Sequence, residues 1–75
     1  MHQSNEGRVW ARAVAEASFR RRLLMDMGAA LAEEGFILSD AEMTILRRQY
    51  ESLHGLNDRA AYERMVALAH GYRRE

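Results

Sequence analysis

Cysteine, proline and lysine are all missing from this chain of 75 residues. Without cysteine there are no disulfides and no thiolate metal sites, the usual supports of so short a fold. Without proline, every helix end must be written by glycine or by a side-chain cap. Without lysine, arginine alone supplies the positive charge, and 11 basic residues against 11 acidic ones leave a net charge of zero. Nucleic-acid binding usually leaves a basic imbalance on a domain, so a nucleic-acid partner is not expected. No apolar run approaches the roughly 18 residues that cross a bilayer, and no membrane partner is expected. The polar start MHQSNEGR has no apolar signal region, which points to a cytoplasmic protein. Strand signals are lacking too, with no two-residue alternation, no Asn-Gly hairpin and few β-branched residues.

What is present is helical. Hydrophobic residues make up 48% of the chain and charged residues 29%, a balance that folds rather than stays disordered. Seventy-five residues allow one domain with a thin core, expected over residues 9–75 after a flexible tail at 1–8. Part of its stability is then expected from a partner or from a homo-oligomer. Trp10, Val14 and Ala17, then Phe19, Leu23, Met27 and Leu31, recur at helical spacing. Gly28 reads as a kink, giving helices at 9–25 and 27–34. The expected fold class is all-α, a small irregular bundle of three long helices plus one short or kinked helix.

The stretch LAEEGFILSDAE carries the densest local signals. Gly35 fits the left-handed position that ends a helix, and Phe36 the apolar position that folds back on the last turn. Ser39 and Glu42 form a capping box, with Leu38 and Met43 spaced as a hydrophobic staple. The next helix then places Met43, Leu46, Tyr50 and Leu53 inward, with Arg47, Arg48 and Glu51 outside. Gly55 repeats the glycine-then-apolar ending, Asn57 or Asp58 caps the last helix at 58–70, and Tyr62, Met65, Val66 and Ala69 form its core face.

Chemistry is sparse. His54 and His70 stand near helix C-termini, where a cation suits the dipole, His2 lies in the tail, and none has a second histidine three or four residues away. Glu33 and Glu34 read as a solvated face, and Asp40 and Glu42 are used by the cap. No catalytic residue, metal ligand or cofactor site is therefore expected. A helix-turn-helix reading of 29–51 would point Asp40 and Glu42 at phosphates, the wrong charge for DNA. Arg20, Arg21 and Arg22 read mainly as a solvated face, one of them lying partly inward, with Glu16 pairing Arg20 at i,i+4. Tyr50 and Tyr62 sit on core stripes, leaving Trp10 and Tyr72 as the exposed aromatic candidates.

Phe19, Arg20, Leu23, Leu24, Asp26, Ala29, Ala30, Leu31 and Gly35 resemble the helical leaders of ribosomally made, modified peptides of the nitrile-hydratase-like type, with Met27 where that pattern has proline. Extended through Leu38–Glu42, Leu46, Leu53, Gly55 and Tyr62, the stretch is also similar to the LigA-type small α subunit of ring-opening dioxygenases. Both resemblances imply a non-catalytic helical piece held by an enzyme. The partner is a larger enzyme subunit in one case and a modifying enzyme in the other. A leader precedes a core peptide, and the closing residues GYRRE offer none, so the accessory small subunit is the expectation and the leader the alternative. The expected contacts are Trp10, Phe19, Arg20, Phe36 and Leu38, on the first helix and the corner at 35–39, with Gly35, Ser39, Glu42 and Gly55 as structural caps.

Overall fold

Five helices follow one another in a computed structural model that describes residues 5–70: α1 (Asn5–Ala15), α2 (Ala17–Met25), α3 (Met27–Glu34), α4 (Asp40–Glu51) and α5 (Asp58–Ala69). No strand occurs among the described residues, and the all-α expectation holds. The expected count of three long helices and one short does not. The single helix expected at 9–25 is two, separated at Glu16, whose backbone is extended (φ −126°, ψ 112°).

Packing explains that break. Trp10 and Phe19 are nine positions apart, roughly 2.5 turns at 3.6 residues per turn, so a straight helix would point them in opposite directions. Both are wholly buried in one core. Interrupting the helix at Glu16 re-phases α2 and turns Phe19 and Leu23 toward the same interior as Val9, Trp10 and Ala13. The open carbonyls at the end of α1 find a donor in Arg20, whose Nη1 lies 2.8 Å from the Ala13 oxygen and 3.3 Å from that of Val14.

A second difference is at the start. Residues 5–8, expected in the flexible tail, form the first turns of α1. Asn5 Nδ2 donates to both carboxylate oxygens of Glu42, at 3.1 and 3.0 Å, which ties the beginning of α1 to the beginning of α4. His2, Tyr72 and the closing residues of the expected domain lie outside the described residues.

The local signals around α3 and α4 are realised closely. Asp26, not Gly28, marks the break before α3: its side chain accepts the Ala29 amide at 3.1 Å, and Gly28 lies inside the helix. Gly35 ends α3 at φ 77°. Its amide donates to the Ala32 carbonyl at 3.2 Å and the Phe36 amide to that of Leu31 at 3.0 Å, the paired bonds of a Schellman ending. At α4 the Ser39 amide donates to Glu42 Oε1 at 2.8 Å, and the Glu42 amide to Ser39 Oγ at 3.1 Å. The helix stops at Glu51, earlier than expected. A turn over 52–55 then reaches Gly55 (φ 86°), and Asn57 caps α5 by accepting the Ala60 amide at 2.8 Å.

Helix α1 is the hub, packing most extensively on α5 and also on α2 and α4. Its buried Val9, Trp10 and Ala13 meet Phe19, Leu23, Leu31, Leu46, Leu53 and Met65 in one core cluster. Helix α5 is rotated relative to the expected face: Ala61, Met65, Leu68 and Ala69 are buried, Val66 is half-buried and Tyr62 is exposed. Small residues at 61 and 69 let a helix approach closely, which a tyrosine in their place would prevent.

Candidate docking surface

The five residues expected to meet a partner are mostly used by the fold itself. Trp10 has no exposed surface, and its Nε1 donates to Gln49 Oε1 at 2.8 Å. Phe19 is likewise fully buried, its ring centroid 6.0 Å from that of Phe36. Neither can present a face to another protein while the domain stays folded, a correction that follows from the break at Glu16 and from the polar acceptor on α4. Phe36 and Leu38 are half-buried and pack on the core. Arg20 is half-buried, fixed by the two α1 carbonyls and with its guanidinium carbon 5.0 Å from the centroid of the Tyr62 ring.

The corner at 35–39 nonetheless presents an apolar residue, and it is Ile37, 87% exposed. Phe36 and Leu38 lean inward on either side of it. In a non-helical bridge, residues two apart share a side and the one between them faces away. Assigning the inward positions to Phe36 and Leu38 was therefore enough to place Ile37 outside. Hydrogen bonds hold both ends of the bridge, backbone to backbone in the Schellman ending at Gly35 and between side chains and backbone in the capping box at Ser39.

Charged groups on the neighbouring surface are arranged differently from the expected solvated faces. Glu34 accepts from Arg12 and, at 3.2 Å, from Arg22, while Glu33 pairs with Arg22 at 2.7 Å. Glu16 pairs with Arg12 at 3.7 Å rather than with Arg20. The Arg12 guanidinium also lies 5.8 Å from the centroid of the Phe36 ring, so α1, α2, α3 and the bridge are joined by one polar cluster. Tyr50 Oη donates to the Leu24 carbonyl at 2.7 Å and ties α4 to the end of α2.

The Glu42 carboxyl is held below its ordinary range. The Ser39 amide is the main cause, helped by the Asn5 side-chain amide, while burial opposes them and the Ser39 hydroxyl adds a smaller effect. The same hydrogen bonds make the cap of α4 and the tie between α1 and α4. Among the described residues no group of three or more His, Asp or Glu is placed to hold a metal ion, and no helix is long and apolar enough to cross a membrane. His54 and His70 are both exposed, as expected of histidines near helix ends. Compared with protein families, curated proteins and solved structures, the chain matches none.

Proposed function

We propose that this chain is a non-catalytic helical interaction module that docks on a larger enzyme subunit through the bridge at 35–39. The observation that supports it is Ile37. A β-branched apolar side chain stands 87% exposed on backbone clamped at both ends, with inward-packed neighbours on each side. A pre-organised apolar knob loses little freedom on association, so most of its burial appears as affinity. A single exposed hydrophobe is ordinary on a protein surface. This one differs in being held outward by two separate hydrogen-bonded motifs. The enzyme as the partner rests on the resemblance of 19–69 to helical accessory subunits.

The experiment is affinity capture from the native cell with quantitative mass spectrometry, comparing the wild-type chain with Ile37→Ser. The reading expects one protein retained in stoichiometric amount by the wild type and lost with the variant, while the helical circular dichroism of the two chains agrees. Equal capture by both chains, or no stoichiometric protein with either, overturns it.

A further inference from the structure

Helices α2 and α5 both pack on α1, and the space between them forms a groove of about 430 Å³. Its lining includes Arg20, Arg21 and Arg59 against one acid, Asp58, over an apolar floor that includes Leu24, Tyr62 and Met65. None of its lining residues belongs to the bridge at 35–39. On a chain with no net charge, this is a local concentration of guanidinium groups beside exposed apolar surface.

The three arginines are not equivalent. Arg20 is held by the α1 carbonyls and lies against the Tyr62 ring, so its charge is fixed at the wall of the groove. Arg21 is exposed, and its side chain has neither an ion pair nor a hydrogen-bond partner among the described residues. Arg59 has only an i,i+4 contact with Glu63, at 3.6 Å with both side chains largely in water, and a competing carboxylate displaces such a pair readily. Two cations are thus free to engage a ligand around one that is already positioned. Leu24 and Tyr62 are 40% and 39% exposed at the same groove, so apolar surface awaits burial between the charges.

We infer that the α2–α5 groove is a docking site for an acidic, apolar peptide segment of a partner protein. Carboxylates of that segment meet Arg21 and Arg59 in the forked geometry that guanidinium groups favour. A leucine-like side chain between them settles on Leu24, Tyr62 and Met65. Charge complementarity selects this occupant, and the apolar floor separates it from a polyphosphate. A nucleic acid would bring phosphates against Asp58 and leave the exposed Leu24 without an apolar partner.

The test uses the full chain and a fluorescein-labelled helical peptide rich in Glu and Leu, with two counterparts in which Gln replaces Glu or Ser replaces Leu. The Glu–Leu peptide is expected to bind at low salt, to weaken steeply as salt rises, and to shift the amide resonances of Leu24, Ala61 and Tyr62. Both counterparts are expected to bind about tenfold more weakly or worse, and Arg21→Gln and Arg59→Gln to cost a similar factor each, as loss of a charge-assisted hydrogen bond does. Ile37→Ser is expected to leave this binding unchanged, which keeps the site distinct from the bridge. Failure of a folded chain to bind the Glu–Leu peptide overturns the proposal, as does binding that ignores Arg21→Gln and Arg59→Gln. Tighter binding of a single-stranded oligonucleotide than of the peptide overturns it in favour of a nucleic-acid groove. Self-association in sedimentation that Arg21→Gln abolishes overturns it in favour of a second copy of the chain.

Discussion

The indole of Trp10 donates a 2.8 Å hydrogen bond to the side-chain carbonyl of Gln49, joining α1 to α4 at the edge of the core. Trp10 is the chain's only tryptophan and has no exposed surface, so this bond lets a large aromatic be buried without leaving its N–H unpaired. Gln49→Leu removes the acceptor and keeps the bulk. Such an orphaned donor costs about 1–3 kcal/mol. In a domain of this size that lowers the melting temperature by several degrees, about 4–8 °C per kcal/mol. A calorimetric melt equal to that of the wild type would show that the indole N–H has another partner.

Gly35→Ala tests a conformational cost separated from a steric one. At φ 77° the backbone is left-handed, yet an added Cβ would meet no atom within 4 Å. The penalty therefore comes from the backbone alone, about 1 kcal/mol or somewhat more. Gly35→Asn, which tolerates this region better, should recover part of it. Urea titration of the three proteins gives the ranking, and Asn no better than Ala would contradict the argument.

Ser39→Ala removes the hydroxyl of the capping box and should cost about 1 kcal/mol. Its partner adds a pH dependence. The folded Glu42 carboxyl lies below its ordinary value of 4.5, so its contribution is fully present above the unfolded-state value and is lost as pH falls toward the folded one. Melting temperatures measured from about pH 5 down to about pH 3 should fall more steeply for the wild type than for Glu42→Gln. Parallel curves would remove Glu42 from the acid sensitivity of the fold.

Arg20 and Arg21 are neighbours in sequence with opposite roles. Arg20→Ala withdraws the donor from two α1 carbonyls and the cation from the Tyr62 ring, and should cost about 1–2 kcal/mol. Arg21→Ala touches nothing in the fold and should stay within about 0.5 kcal/mol of the wild type. Denaturant midpoints that move equally for both would mean that the break at Glu16 does not depend on Arg20.

These contrasts also show which features were legible beforehand. The ending at Gly35, the capping box of Ser39 and Glu42, the start of α3 at Met27 and a cap at Asn57 or Asp58 are each written within five or six consecutive residues. Their hydrogen bonds close locally, so the sequence by itself determined them, and with them the all-α class. The break at Glu16 has no cap to announce it. It follows from the need to bury Trp10 and Phe19 on one side, although a check of their helical phase would have exposed the conflict. The acceptor for Trp10 stands 39 positions away and the tie between Asn5 and Glu42 spans 37, distances over which no local pattern carries information. The exposure of Tyr62 depends in the same way on how α5 rolls against α1, which the small residues Ala61 and Ala69 decide only once the two helices touch. Tertiary structure alone placed Trp10 inside and three arginines around one groove, because each of those positions is set by packing between segments far apart in the chain.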